Sequence, residues 1–393
     1  MKRIGILTYH RSMNYGAVMQ SAALASALQE KFPHAEVEIV DYSSRRMIAY
    51  YRLITLYRGR DSILQLGGRI AMYRAFQRGL RELPLSPSHL FSDDCQKFFH
   101  WIGRRYDVLI TGSDAVWNYG KRGLPNPYFL NSDGDFARFS YAASCNGLGI
   151  KTFSEIGEDG PFLRDAFQRF DYIGVRDAQT QRLVQTVCPE ATTHHNCDPS
   201  LLLGDLTKKD RTALIDKLYK AYRFDPEKPT IGLMLSNLNG SVAQELTRRL
   251  KAAYGTAYQT VSVYSYNRYA DIPYLADLTP QEWSLVFGLF RATVSKYFHG
   301  TMFSLLNGTP VLAVGAEKSI DAMPNKIEDA LGRMGLADLY FPTGGKEPFA
   351  WEKLMTKLDE LLRSPPLGCI ARGLEAERRS ADGFFQALEA YGL

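Results

Sequence analysis

The sequence predicts an α/β protein built from two Rossmann-like domains that face each other across a cleft. Three observations predict it. The chain has 393 residues, more than one ordinary core accommodates. Short, continuously apolar runs alternate with segments of helical periodicity, the pattern of a parallel sheet covered on both faces. That series breaks once, at a charged linker, and then starts again.

Residues 3–9 read as the first buried strand, because their apolar run is continuous rather than alternating. A loop over residues 11–16 follows. Residues 17–32 then place alanine and leucine on one helical face. Residues 36–42 are the second strand. Residues 46–83 are rich in Arg, Tyr and Leu at helical spacing and are expected to form a helical insertion. Strands are expected at 106–111, 136–144 and 172–175, with a helix over 178–187 after the last. A charged turn at 204–208 and the linker 223–228 (RFDPEK) end this half. The second series has strands at 230–235, 260–264, 292–296 and 310–314, with helices between them. Residues 369–393 read as one or two helices able to pack back on the first domain. The expected domains are therefore 1–220, carrying the insertion, and 221–393, with their junction near 204–228.

Composition narrows the function. Hydrophobic residues make up 45% and charged residues 23%, as in ordinary globular chains. The formal net charge of +5 suits anionic small substrates or anionic lipids. The basic residues form no contiguous block, so nucleic acid is not expected as a partner. The apolar run near the start spans only Ile4 to Leu7, too short for a signal-peptide core. No stretch approaches the length needed to cross a bilayer. A cytoplasmic protein is expected, with contact at the inner face of the plasma membrane left open. The five cysteines are an odd number at irregular spacings with no CxxC pair, which reads as reduced thiols.

The segment richest in chemistry is Ser295-Lys-Tyr-Phe-His-Gly-Thr-Met-Phe-Ser304, followed by Leu-Leu-Asn-Gly-Thr-Pro-Val-Leu-Ala-Val314. It reads as a strand, a polar turn, a short helix and a buried strand. His299 and Gly300 sit where strand hands over to helix, at a helix N-terminus that offers free N–H groups to an anion. A histidine there can pair with phosphate and exchange a proton near neutral pH. The plainer alternative is a capping or core histidine.

Ser295, Phe298-His299-Gly300, Phe303-Ser304 and Pro310 together resemble the S-F-H-G-x-x-F-S…P signature of the polysaccharide pyruvyl transferase family. Further marks follow in the family's order. Ile4-Gly-Ile-Leu-Thr-Tyr9 with Asn14-Tyr-Gly-Ala17 and Gln20 is similar to its opening strand and loop. Tyr106-Asp-Val-Leu-Ile-Thr-Gly-Ser-Asp114 with Trp117-Asn118 resembles its D-x-x-I-x-G-S-D-x-x-W-N element. Ser140-Tyr-Ala-Ala-Ser144 matches Y-A-A-S, and Asp198-Pro-Ser-Leu-Leu-Leu203 resembles D-P-T-L-L-L. Gly174-Val-Arg-Asp177 matches S-V-R-E with Gly174 in place of Ser and Asp177 in place of Glu. Lys296-Tyr297 and the register of Lys318 also depart from the family pattern. The resemblance implies a fold like that of GT-B glycosyltransferases. It also implies transfer of the pyruvyl group of phosphoenolpyruvate onto two hydroxyls of a sugar, as a ketal.

Residue roles follow from chemistry beside that resemblance. His299 is the candidate for acid–base or phosphate-assisting work. Asp114, at a strand end, is a second catalytic candidate acting on a sugar hydroxyl, or else an N-cap. Arg176 offers a bidentate fork to the donor's carboxylate or phosphate; the alternative is a surface ion pair with Asp177 or Asp171. Lys318, Lys326 and Gly300 complete the expected donor set, with a solvated surface as the alternative for each lysine. Asn14, Tyr15 and Gly16 are the acceptor candidates, in a loop where close backbone approach needs glycine, or form a simple turn. Asp198 reads as a support for loop geometry.

Three other features are set aside. Asp133-Gly134-Asp135 has a D-x-D shape but reads as a turn. His194 and His195 are adjacent on a strand and point to opposite faces. No Walker loop or GxGxxG occurs. No cofactor and no metal are therefore expected. The expected partners are phosphoenolpyruvate and a sugar acceptor, with a lipid-linked acceptor and an oligomer left open. Two other functions remain open at this stage. One is a nucleotide-sugar-dependent glycosyltransferase of the GT-B type; the other is a non-catalytic glycan-assembly protein.

Overall fold

The computed structural model describes residues 1–49, 66–146, 148, 150–235, 240–315, 320–343 and 349–393. It has two parallel sheets. The first is six-stranded, in the order β2-β1-β5-β6-β7-β8. Its strands are β1 (Arg3–Leu7), β2 (Glu36–Ile39), β5 (Val108–Thr111), β6 (Ala137–Ala143), β7 (Tyr172–Val175) and β8 (Thr193–His195). The second is five-stranded, in the order β10-β9-β11-β12-β13. It comprises β9 (Thr230–Met234), β10 (Gln259–Ser262), β11 (Ala292–Ser295), β12 (Val311–Gly315) and β13 (Tyr340–Pro342). A separate two-stranded pair joins β3 (Tyr42–Ser43) to β4 (Leu90–Phe91).

β5, β9 and β12 are buried from end to end, and β1 in all but its first residue, because helices cover both faces of each sheet. Three short strands are not evident in the sequence: β13 lacks a continuous apolar run, and β3 and β4 are two residues each, while β8 is the strand that carries His194 and His195. The insertion contributes the helix Leu66–Leu80. The rest of that expected segment, residues 50–65, lies outside the described residues.

Topology locates the crevices. In the first sheet the chain order reverses between β1 and β5, which register with Ile4 opposite Val108 and Leu7 opposite Thr111. In the second it reverses between β9 and β11, with Ala292 opposite Ile231. Ligands of open α/β sheets bind outside the carboxyl ends of strands at such reversals. The ends of β1 and β5 in the first sheet and of β9 and β11 in the second therefore mark the cleft.

The last helices reach back to the first sheet while also touching the second domain at Arg333 and Met334. Phe384 packs edge-on to Tyr141 and Tyr172 at 4.7 and 5.6 Å. Asn196 donates to the Ser380 carbonyl at 3.0 Å, and Arg378 donates to the Leu201 carbonyl at 2.8 Å. Glu377 ties three elements together. It meets His195 at 3.1 Å and accepts from Arg333 at 2.8 Å, while Arg333 reaches back to the Arg176 carbonyl. The end of β7 is thus braced from the second domain.

Candidate active site

Four strand ends and one helix start converge at the cleft. Arg176, directly after β7, is 2% exposed, and its Nη1 donates to Asp198 Oδ2 at 3.0 Å. The same carboxylate oxygen accepts a short hydrogen bond from Gln20, on the helix Tyr15–Lys31. Asp198 Oδ1 accepts from the Ser200 amide and hydroxyl at 3.0 and 2.7 Å, so this acid has fixed partners on both oxygens. Asp114, after β5, lies 3.8 Å from Arg176 Nη2. His299 comes from the second domain, in the first turn of the helix Phe298–Leu306, and its Nε2 lies 3.9 Å from Asp198 Oδ2. The Phe298 ring carries the Arg176 guanidinium at 4.8 Å on one contact and the Lys326 ammonium at 5.9 Å on another.

Burial and charge set the ionisation states. Burial opposes the charged form of Asp114, but Arg176, His299 and Lys326 together outweigh it and hold the carboxyl below its ordinary range. Burial likewise opposes the charge on Arg176, and Asp198, Asp114 and Asp177 outweigh that. For His299 burial wins over Asp198 and Asp114, and pulls the imidazole below its usual 6.5. The ring thus sits between two carboxylates and two cations, with burial disfavouring its charged form. Three buried nitrogens here, Arg176 Nε and Nη2 and His299 Nε2, have no hydrogen-bond partner among the described residues. Buried nitrogens left without hydrogen-bond partners are rare in native proteins, and three of them gathered here leave the site able to bind a polar ligand.

Glycine sets the contact between the domains. A Cβ on Gly16 would lie 2.1 Å from His299 Cγ and Nδ1 and 2.5 Å from its Cβ. The clash is with the root of the side chain, so a rotation of the ring tip cannot relieve it. Gly16→Ala is expected to displace His299. Overpacking of this kind costs about 1–3 kcal/mol, and catalytic turnover should fall further than the melting temperature implies. Wild-type turnover in a folded Gly16→Ala protein would remove this contact from the site.

The other expected residues separate into those that join the site and those that do not. Asn14 caps the helix Tyr15–Lys31, its side chain accepting from the Gly16 amide at 3.1 Å. Tyr15 points away from the cleft. It is 2% exposed and packs among Phe76, Tyr264 and Trp283, with ring centroids 5.8 to 6.2 Å apart. Its assignment to the acceptor is corrected: the ring is a packing element of the domain junction. Gly300 brings its helix onto the second sheet, because a Cβ there would meet Met234 Sδ and Ser295 Oγ at 2.4 and 2.5 Å. Lys318 lies outside the described residues. Asp114 caps no helix; its backbone bridges to Ala143 with φ of 71°, which leaves the side chain facing Arg176. The surface pair once open for Arg176 is not formed. Asp177 instead caps the helix Ala178–Val187 and accepts from Ser144 at 2.6 Å. Asp171 accepts from the Arg138 amide at 2.8 Å.

Gln20 and Asp198 are the residues the sequence reading undervalued. Gln20 was legible only as a family mark, and Asp198 only as a loop support. The departure at Gly174 has a structural cause, since a Cβ there would lie 1.9 Å from Asn196 Oδ1 and 2.5 Å from the Ser140 carbonyl. The paired histidines also have separate tasks: His194 stacks on Tyr172 at 4.5 Å, while His195 meets Glu377.

The model of one protein family, polysaccharide pyruvyl transferase, matches residues 14–317, a span that holds Gln20, Asp114, Arg176, Asp198 and His299, with Lys326 just beyond it. The chain belongs to the polysaccharide pyruvyl transferase family. No curated protein sequence was found to match it. Similar solved structures show the fold this pyruvyl transferase family member shares with other enzymes. One is UDP-GlcNAc 2-epimerase from Neisseria meningitidis bound to UDP-GlcNAc, at TM-score 0.54 and 10% identity, over 99% of this chain and 100% of that one. UDP-N-acetylglucosamine 2-epimerase from Rickettsia bellii follows at TM-score 0.53 and 11% identity, over 100% and 96%. Sucrose-phosphate synthase from Thermosynechococcus elongatus has TM-score 0.50 and 11% identity, over 100% and 98%. At such identities the likeness is one of architecture: two Rossmann-like domains in the GT-B arrangement.

Proposed function

We propose that the enzyme takes phosphoenolpyruvate as donor and forms a cyclic pyruvate ketal on two hydroxyls of one sugar, releasing phosphate. The observation that carries this is the set of buried, unpartnered nitrogens on Arg176 and His299 beside Lys326. A donor bearing a carboxylate and a phosphate supplies the acceptors these groups lack, and the fork of Arg176 suits either anion. The free N–H groups at the start of the helix Phe298–Leu306 add positive potential.

In the proposed reaction the enol carbon gains a proton and becomes a methyl group, leaving an electrophilic centre at the carbon that bears the phosphate. One sugar hydroxyl adds there, the carbon–oxygen bond to phosphate breaks, and the second hydroxyl closes the ring. One hydroxyl proton is balanced by the new methyl hydrogen and the other leaves on phosphate. In this reading His299 moves the proton or steadies the leaving group, and ionised Asp114 accepts from an attacking hydroxyl. Arg176 and Lys326 hold the donor, and Asn14 and Gly16, at the start of the helix Tyr15–Lys31, flank the acceptor. Donor binding brings negative charge against His299 and raises its pKa, so binding itself charges the imidazole.

The test is phosphate release from phosphoenolpyruvate with a panel of sugar acceptors, a lipid-linked oligosaccharide among them. Release that depends on both donor and acceptor is the expected result. Thermal stabilisation by a nucleotide sugar and not by phosphoenolpyruvate would replace this reading with glycosyl transfer. A protein inert to both would be a glycan-assembly protein without catalysis.

A further inference from the structure

We propose that the outer face of the helix Leu66–Leu80 docks the enzyme on an anionic lipid bilayer. The inner face of this helix is spent on packing. Ala75, Phe76 and Leu80 are buried, Phe76 stacks on Tyr15 at 6.1 Å, and Met72 receives the Tyr274 hydroxyl at 2.8 Å. Arg78 pairs with Asp277 of the second domain at 2.6 Å. The helix is therefore held rigidly between the domains, one packing layer from the Asn14–Gly16 turn.

Its outer face is apolar and exposed among the described residues. Leu66, Ile70 and Tyr73 are 37, 41 and 36% exposed. They lie at i, i+4 and i+7, so they form one stripe. Among the described residues only eight large apolar side chains are exposed, and this single helix face holds three of them. Scattered apolar exposure is ordinary; a stripe on one helix is a contact surface.

Charge selects the occupant. Residues 45–83 contain nine arginines, no lysine and two acidic residues, Asp61 and Glu82, while the whole chain has a net charge of only +5. The remainder of the chain is thus net acidic. The positive charge of this protein is concentrated in the segment that also carries the exposed stripe. Arg74 flanks the stripe and Arg81 follows it, both exposed. An apolar face bordered by cations is the form of an interfacial helix, with aliphatic and aromatic groups entering the headgroup boundary and arginines meeting anionic lipid. Among the described residues no helix is long and apolar enough to cross a membrane, so this mode is docking, not insertion. Docking stands independently of the reaction proposed above; its use in presenting a lipid-carried sugar to the cleft rests on that reading.

The experiment is co-sedimentation of the full chain with vesicles of phosphatidylcholine alone and of phosphatidylcholine with phosphatidylglycerol. Binding is expected only to the anionic vesicles and should weaken with added salt. Leu66→Ser with Ile70→Ser should weaken it about tenfold, and Arg74→Gln with Arg81→Gln by roughly fivefold per arginine. All four positions are exposed, so circular dichroism and melting temperature should match the wild type. Absence of binding at low salt, equal binding to neutral vesicles, or variants that bind like the wild type would each overturn the proposal. So would a concentration-dependent dimer in sedimentation velocity that Leu66→Ser with Ile70→Ser dissociates, because the stripe would then be covered by a second copy.

Discussion

His299→Ala is expected to melt within a few degrees of the wild type and to lose pyruvyl transfer by about 10²–10⁴-fold, the range for loss of a general acid or base. The small change in stability follows from the contacts. Among the described residues His299 Nε2 has no hydrogen bond to abandon, and Asp198, 3.9 Å away, keeps Arg176, Gln20 and Ser200 as partners. What is lost is packing against Gly16 and the edge of Phe298, 5.5 Å between ring centroids. His299→Gln separates two roles. Glutamine keeps one hydrogen bond but carries no proton, so a group that only steadies phosphate leaves it partly active and a proton carrier leaves it as inactive as alanine. The lowered pKa of the free ring adds a binding signature. Between that lowered value and the higher one reached with an anionic donor bound, the enzyme takes up a proton on binding. Calorimetry in buffers of different ionisation enthalpy should show uptake that both variants lack. A stable, fully active His299→Ala protein, or donor binding without proton uptake in the wild type, would remove this residue from the chemistry.

Arg176→Lys should raise the Michaelis constant for phosphoenolpyruvate by roughly tenfold or more, from loss of one charge-assisted contact worth about 1.5–3 kcal/mol. Charge is conserved, so the effect isolates geometry. The planar guanidinium spans Asp198 at 3.0 Å and Asp114 at 3.8 Å, and its Nε and Nη2 have no hydrogen-bond partner among the described residues. An ammonium on a flexible stem reaches one of these at a time. Stability should fall as well, because Asp198 is buried and loses its fixed donor. Donor affinity and melting temperature measured on the same preparation distinguish the two effects. An unchanged Michaelis constant beside a lowered melting temperature would make Arg176 a structural ion-pair partner only.

Much of this was legible in the chain. Strands buried on both faces show as unbroken apolar runs, which is why β1, β5, β6, β7 and the core strands of the second sheet were found near their observed positions. β8, with its sequence Thr-His-His, is stabilised by the strand beside it and by the last helices, not by a pattern of its own. His299 and Arg176 were legible because strand ends and helix starts are local features. Tyr15 misled for a local reason: successive residues in the first turn of a helix point about 100° apart, so Gly16 meets His299 while Tyr15 enters the core.

The amino-acid sequence by itself determined the α/β class, the repeat of the strand–helix series and the chemical types available at each strand end, because these depend on period and composition over a few residues. The tertiary structure alone decided which of those groups meet. Asp198 became the centre of the site only when Gln20, 178 residues away, and Arg176, 22 residues away, closed on the same oxygen. It also brought His299 of the second domain onto Gly16 of the first. Such contacts are set by the order in which strands are wound into each sheet and by the docking of one domain on the other, and neither leaves a periodic trace in the chain.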